Sequence, residues 1–389
     1  MPSPTTTTAA DTTGTSTSTA SATCISIAPG KNGYLPPEAC GNLILYEPSL
    51  GAAIFFCVLY GLALLTHIGL GIKFKKGYTW VISMGAAWEL IAFIMRSLMA
   101  LHQNVDSYNT VYTIFFLLAP LWVNAFLYMT LGRMIYFFVE EKRLGGLSAK
   151  RYGVLFVWLD IIAFIVQLVG AAFTTQTDVP VSTIMLGVHI YMGGIGLQEF
   201  FILVFTCLFV VLHRRMLQEE RLGLLNMEKA RRGSLNWRKL FYAIYFSLFM
   251  ITIRIIFRLA QYARGTDVNN PVLTHEWYEY MWDAVPIFLA LLALIIFHPG
   301  RVLVGPDSEF PHISRKEKKR LKREKKEAKR AQKEAKKAGG RWGWRSKGEK
   351  GRDSIAFESL SGQEDGTVAP GFYDQYHNGA HTEYRPAHN

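Results

Sequence analysis

Apolar residues in this chain arrive in seven long blocks, at 51–72, 79–101, 111–139, 152–173, 183–212, 241–263 and 277–297. About 20 apolar residues in a helix cross a hydrocarbon layer ~30 Å thick, and each block reaches that length. The pattern predicts an all-α polytopic membrane protein with seven transmembrane helices. The third and fifth blocks exceed the minimum, which predicts helices that tilt or project beyond the bilayer. Residues 45–302 form the predicted transmembrane domain, flanked by tails at 1–44 and 303–389.

Charged residues interrupt the blocks at positions that need an explanation. Arg254 and Arg258 lie one helical turn apart on one face of the sixth block, with Gln261 following on the same face. Each arginine at the centre of a membrane helix costs roughly 2.5–3.5 kcal/mol on insertion scales, so the pair must face protein or a wet cavity and find acidic partners. The other blocks supply Glu89, Arg96, Arg133, Asp160, Glu199 and Asp283, which balances four positive charges with four negative ones. That balance predicts one polar interior shared by several helices. By depth, Asp283 is expected to pair with Arg258 or Arg96, and Arg133 with Asp160 or Glu199. The plainer reading is that these residues are only clamps that assemble the bundle.

Uncharged residues extend the same stripes. Asn124 and Tyr128 share a face beyond Pro120, which is expected to kink the third helix. Gln167 lies two turns from Asp160. Gln198 and Glu199 follow Gly193, Gly194 and Gly196, small residues that permit close helix packing or, alternatively, a loosened segment that exposes a carbonyl to a ligand. Pro286 predicts a second kink just after Asp283.

Composition changes the picture mainly through charge placement. The chain has 389 residues and a net charge of +12, and 13% of its residues are aromatic. Lys and Arg number three, four and eight in the connections at 73–78, 140–151 and 213–239, against none, none and one at 102–110, 174–182 and 264–276. The excess of basic residues on the cytoplasmic side of membrane proteins places the N-terminus outside and the C-terminus in the cytosol. Residues 315–337 carry fourteen basic and four acidic side chains. Emerging just below the membrane, they are expected to meet anionic lipid headgroups, with a solvated charged helix as the plain alternative and no role in nucleic-acid binding. The Ser/Thr-rich first 23 residues and residues 351–389 read as disordered.

Cys24 and Cys40 fall in the exterior segment, where pairing is possible. Ser234, in the RRGS of the longest cytosolic loop, has the basic flank of a regulatory phosphorylation site. Phosphate there would add negative charge beside eight cations.

Several chemistries have no signature. No GxxxxGK[ST] phosphate loop occurs, so no internal ATP motor is expected. The seventh block lacks a lysine for a retinal Schiff base. His67, His189, His213 and His298 form no local pair such as HxxxH, so no metal site, cofactor or enzymatic reaction is expected, a metal hydrolase being the weakest of the readings held open.

Ordered blocks along the chain resemble the fungal RTA-like family of seven-helix membrane proteins, the lipid-translocating exporters. The resemblance is carried by Tyr46, Pro48 and Ser49; Glu89 with Arg96; the Leu118 to Pro120 triplet with Tyr128, Gly132 and Arg133; and Asp160, Gln167 and Gly170. It continues through Gly196, Leu197 and Gln198; Arg254, Phe257 and Arg258; then Glu276, Tyr280, Asp283 and His298 to Gly300. The resemblance implies binding of membrane lipids and other amphiphiles such as sphingoid bases, sterol-like amines and phospholipids. It further implies their translocation or export in the plasma membrane, and resistance to toxic amphiphiles. Gln261 stands where that family favours glutamate, which removes one possible carboxylate, and the basic tail lies outside the shared region. A cationic amine would be met by Glu89, Asp160, Glu199 or Asp283. The alternative function is a seven-helix lipid-stress sensor that signals through the cytosolic loop and tail.

Overall fold

A computed structural model describes residues 25–28, 30–36, 39, 46–103, 105–174, 180–263, 270–305, 308–310 and, from 317 to 331, all but 318, 321 and 325. Cys24, Cys40, the Ser/Thr-rich start and residues 351–389 lie outside the described residues. Seven helices are long and apolar enough to cross a membrane: α1 (Leu50–Phe74), α2 (Trp80–Leu101), α3 (Asp106–Phe138), α4 (Ala149–Thr174), α5 (Val181–Arg221), α6 (Trp237–Tyr262) and the composite span α7 (Glu276–Arg301). The protein is an all-α integral membrane protein. All seven predicted blocks are helical, and α5 projects furthest beyond its apolar core.

Local chemistry sets the helix ends. The Ser49 hydroxyl accepts from the Ala52 amide at the start of α1, and Lys75 closes that helix in the left-handed region at φ 51°. Asn236 caps α6 by accepting from the Arg238 amide. Such side chains satisfy amide groups that the first helical turn leaves without partners. Between α3 and α4 the chain forms a small hairpin, β1 (Arg143–Leu144) against β2 (Leu147–Ser148), which no pattern in the sequence predicted. Its two-residue turn is Gly145–Gly146, at φ 52° and 81°, and paired positive φ values are what this turn class requires.

Each helix packs on the next in sequence, and α7 returns to α1 to close the bundle. The apolar windows of α3 and α6 are 61% buried while those of α1 and α4 are 28% buried, so α3 and α6 form the centre. Large apolar side chains such as Phe55, Leu65, Ile72, Trp158 and Phe200 face outward. Facing lipid tails, they need no further covering.

α3 continues through Pro120 as one helix. In α7 the irregularity precedes Pro286: Glu276–Glu279 is α-helical, Tyr280–Ala284 is π-helical, and Val285–Ile296 is α-helical again. Proline supplies no amide to the ladder, and Asp283, within the widened turn, is wholly buried. The buried body also runs beyond Arg301, since Val302, Leu303 and Ser308 are buried and Phe310 packs on Tyr136.

Of the three glycines near Gln198, only Gly194 makes a close approach; Gly193 and Gly196 face open space. The tight α4–α5 seam is built by Gly170 and Gly187 instead. A Cβ on Gly170 would stand 2.7 Å from Tyr191 Cα and 2.8 Å from the Gly187 carbonyl oxygen. Gly170→Val is therefore expected to destabilise the detergent-solubilised protein by about 1–3 kcal/mol. Gly193→Ala should leave thermal unfolding unchanged or raise it slightly. Equal effects of the two substitutions would contradict the seam.

Candidate functional site

The buried charges do not share one interior. They divide into an ion-pair centre, a belt of hydrogen bonds without ion pairs and an arginine stacked on aromatic rings.

The ion-pair centre lies toward the end of the bundle where α2 meets α3 and α6 meets α7. Arg96 of α2 is almost wholly buried and sits between two carboxylates of α7, Glu276 at 3.1 Å and Glu279 at 2.9 Å. Its guanidinium also donates to the Tyr46 hydroxyl at 2.8 Å and to the Tyr280 hydroxyl at 3.2 Å, and it lies over the ring of Tyr112 at 4.8 Å. The phenols complete the network by donating to the carboxylates: Tyr112 to Glu279 at 2.8 Å, Tyr46 to Glu279 at 3.2 Å and Tyr280 to Glu276 at 3.2 Å. Burial pushes the Tyr46 phenol above its ordinary range, which keeps it a hydrogen donor. Through Ser49, whose amide donates to Glu276 at 2.8 Å, the same network holds the start of α1.

Deeper in the bundle, Asp283 is shared by two arginines. Arg254 pairs with one of its oxygens and Arg258 with the other, the latter at 2.5 Å. The one-turn spacing of the arginines lets α6 grip the carboxylate from two levels. Asp283 thus takes Arg258 and Arg254, and Arg96 takes the two glutamates. Glu89 of α2 lies within the field of Arg254, Asp283 and Arg258, is wholly buried, and has no hydrogen-bond partner on either oxygen. Tyr60 of α1 donates to the Ala284 carbonyl at 2.8 Å, inside the π-helical turn.

The belt joins successive helices without ion pairs. Asp160 accepts from Asn124 at 3.1 Å and Tyr128 at 3.0 Å, linking α4 to α3. Gln167 donates to Gln198 at 3.0 Å between α4 and α5, and Thr252 donates to Glu199 at 3.0 Å between α6 and α5. Arg133 pairs with neither Asp160 nor Glu199, contrary to the depth argument. It donates to the Met129 carbonyl at 3.2 Å and stacks between Tyr78 at 3.7 Å and Phe310 at 5.2 Å, because its face of α3 looks toward the start of α2 and the returning C-terminal segment. Ser234 is exposed in the α5–α6 connection.

A cavity of ≈ 200 Å³ adjoins the ion-pair centre. Arg96, Tyr112, Phe116, Arg258, Gln261 and Glu279 are among its walls, which the α6–α7 connection completes with Leu273 and His275. Of the predicted site residues, Arg96, Arg258 and Gln261 reach it; Glu89, Asp160, Glu199 and Asp283 do not. Glu276, Glu279, Tyr46, Tyr112 and Tyr280 were absent from the predicted site. Tyr46, Glu276 and Tyr280 nevertheless stood among the residues that carry the family resemblance, and Glu276, Glu279 and Asp283 recur at the spacing of one helix face. Among the described residues no group of three or more His, Cys, Asp or Glu could hold a metal ion.

The family described as RTA1 like protein matches residues 82–305, more than half of the chain, including every helix of this centre except α1. The chain belongs to the RTA1-like family. A "Probable lipid transporter atnI" of Emericella nidulans is 64% identical over 296 residues, 76% of this chain and 77% of that protein. "Protein RTA1" of Saccharomyces cerevisiae is 27% identical, covering 66% of this chain and 85% of its own length. The "Sphingoid long-chain base transporter RSB1" of the same yeast is 24% identical, covering 68% and 75%. No solved structure matches this RTA1-like chain.

Removing one member of a buried ion pair leaves its partner uncompensated, at a cost of about 3–5 kcal/mol. Asp283→Asn is expected to destabilise by that order in detergent unfolding, and Glu199→Gln by much less, because Glu199 meets only a hydroxyl. Exchanging Arg258 and Asp283 should fail to restore stability, since the new arginine at 283 would face Arg254. Full recovery in the exchanged protein would contradict the shared carboxylate.

Proposed function

We propose that this protein binds single amphiphilic lipids by their headgroups and promotes their movement across or out of the membrane. One observation carries the reading: a cavity walled by charged and aromatic side chains opens beside a buried ion-pair centre, in a bundle whose outer faces are apolar. Such a cavity shelters a polar headgroup while the hydrocarbon chain stays among lipid-facing side chains. The 64% identical relative is a probable lipid transporter, which supports the same reading. Sphingoid bases, sterol-like amines and phospholipids are the proposed substrates, and resistance to toxic amphiphiles the proposed consequence. No catalytic step is involved.

The loop charges support an exterior N-terminus and a cytosolic C-terminus, which puts the cavity toward the outer leaflet. In that orientation the plasma membrane is the proposed location and the basic tail meets anionic headgroups. Cys24 and Cys40 are proposed to pair outside the cell: the parallel bridge between Ile25 and Ala39 holds the neighbouring backbone segments together. Ser234 remains a proposed phosphorylation site, supported by its exposure. The sensor reading is favoured by one contact only, the packing of Phe310 on Arg133 and Tyr136, which ties the chain leading to the cytosolic tail to the bundle.

The purified protein in liposomes is expected to accelerate flipping of a fluorescent long-chain base or phospholipid. Leu273→Trp, which fills the cavity from its rim, should reduce that acceleration severalfold while leaving thermal unfolding unchanged. Wild-type protein that flips no such lipid would refute the reading, and full activity of the tryptophan variant would remove the cavity from it.

A further inference from the structure

The ion-pair centre closes its charge without Glu89. Arg96, Arg254 and Arg258 contribute three positive charges, and Glu276, Glu279 and Asp283 three negative ones, with every member held by the ion pairs described above. Among the described residues of this centre, Glu89 is the one carboxyl group beyond those three pairs of charges. It is wholly buried, and neither carboxyl oxygen has a hydrogen-bond partner.

The groups acting on Glu89 come from each neighbouring helix that carries any. Arg254 and Arg258 belong to α6, Asp283 to α7, and Tyr60 to α1. On α3, the facing stretch at 115–123 contains no titratable residue. Ionised, Glu89 would leave the centre with one surplus negative charge in a low-dielectric interior, and that surplus must be neutralised. Two monovalent species can do so, a proton on Glu89 or a cation in the adjoining cavity.

The cavity can take a cation although Arg96 and Arg258 also line it, because both guanidinium groups are already paired with Glu276, Glu279 and Asp283. Tyr46, Tyr112, Phe116 and Tyr262 present rings, and the Glu279 carboxylate lies in its wall. An ammonium group against several aromatic faces and one carboxylate is a favoured arrangement. Arg258 links the two places, because it lines the cavity and also holds Asp283.

We propose that Glu89 exchanges its proton for the single positive charge of a cationic amphiphile bound in the cavity. This rests on the translocation reading and adds to it a substrate class and a driving force. With the cavity empty, Glu89 carries its proton and the centre is neutral. When a monocationic headgroup enters beside Glu279, the Glu89 carboxyl loses one proton to water and the centre is neutral again. Reprotonation expels the cation. One proton moves against one positive charge, so the exchange is electroneutral and a pH difference across the membrane drives uphill movement of the amphiphile.

The test uses a fluorescent single-chain quaternary ammonium amphiphile, which cannot itself release a proton or follow a pH gradient passively as a neutral base. In detergent, infrared difference spectra should show a protonated carboxyl band in wild-type protein that is absent in Glu89→Gln and is lost on adding the probe. About one proton should be released for each probe bound. In proteoliposomes, one unit of pH difference should drive about tenfold accumulation of the probe, the ratio set by one-for-one exchange. Glu89→Gln should abolish this gradient-driven accumulation. Wild-type protein without the carboxyl band, or one whose probe movement ignores the gradient, would overturn the exchange, and neither measurement depends on the variant folding. If wild-type protein flips zwitterionic phospholipid but neither binds nor moves the probe, the cation assignment fails while the translocation reading stands. If it flips no lipid at all yet shows the band and releases protons on binding, the translocation reading fails and the proton site stands.

Discussion

Three guanidinium groups at neighbouring levels of a membrane bundle cannot remain without partners, and the arrangement of α7 follows from supplying them. Glu276, Glu279 and Asp283 lie on one side of that span, at the spacing of one helix face, and the helix widens through a π-helical turn that includes Asp283 before Pro286. The widened turn carries Asp283 between Arg254 and Arg258, while the preceding turn gives both glutamates to Arg96. Because the arginines sit on α2 and α6 and the acids on α7, the ion pairs fasten α2 to α7, and through α7 to α6, two helices that lie far from it in sequence. Tyr46 and Ser49 extend the same network to the entry of α1.

Elsewhere the bundle is assembled differently. Lipid tails are as apolar as leucine side chains, so association of α4 with α5 relies on close backbone approach at Gly170 and Gly187. The Gln167–Gln198 and Asp160–Asn124 contacts then fix the register of neighbouring helices through hydrogen bonds without ion pairs. The α4–α5 side is therefore closed by packing, whereas the α2–α6–α7 side is closed by charge and contains the cavity. In the proposed reading, that division gives a headgroup one polar side to enter and leaves the rest of the surface to hydrocarbon.

The seven spans were legible because length and apolar composition alone decide which segments cross a bilayer. The need for acidic partners around Arg254 and Arg258 was legible for the same reason, and the pairing of Arg258 with Asp283 was legible as one of two alternatives, the other being Arg96. The partition of partners was not. Depth placed Arg133 level with Asp160 and Glu199, but depth carries no information about which way a side chain faces, and Arg133 turns toward Tyr78 and Phe310. Glu276 and Glu279 read as the polar start of a helix, since nothing local distinguishes a solvated first turn from one folded over a buried arginine. Tyr46 precedes the first span and touches Arg96 only through tertiary contact. The Gly145–Gly146 hairpin was overlooked because its strands are two residues each, too short for an alternating pattern.

Arg96 and the α7 carboxylates form one coupled, buried unit beside which the cavity lies. A double-mutant cycle of Arg96→Met and Glu279→Gln, followed by unfolding of the detergent-solubilised protein, tests it most directly. Direct contact predicts a coupling energy of about 0.5–3 kcal/mol. Strictly additive effects of the two substitutions would contradict the account.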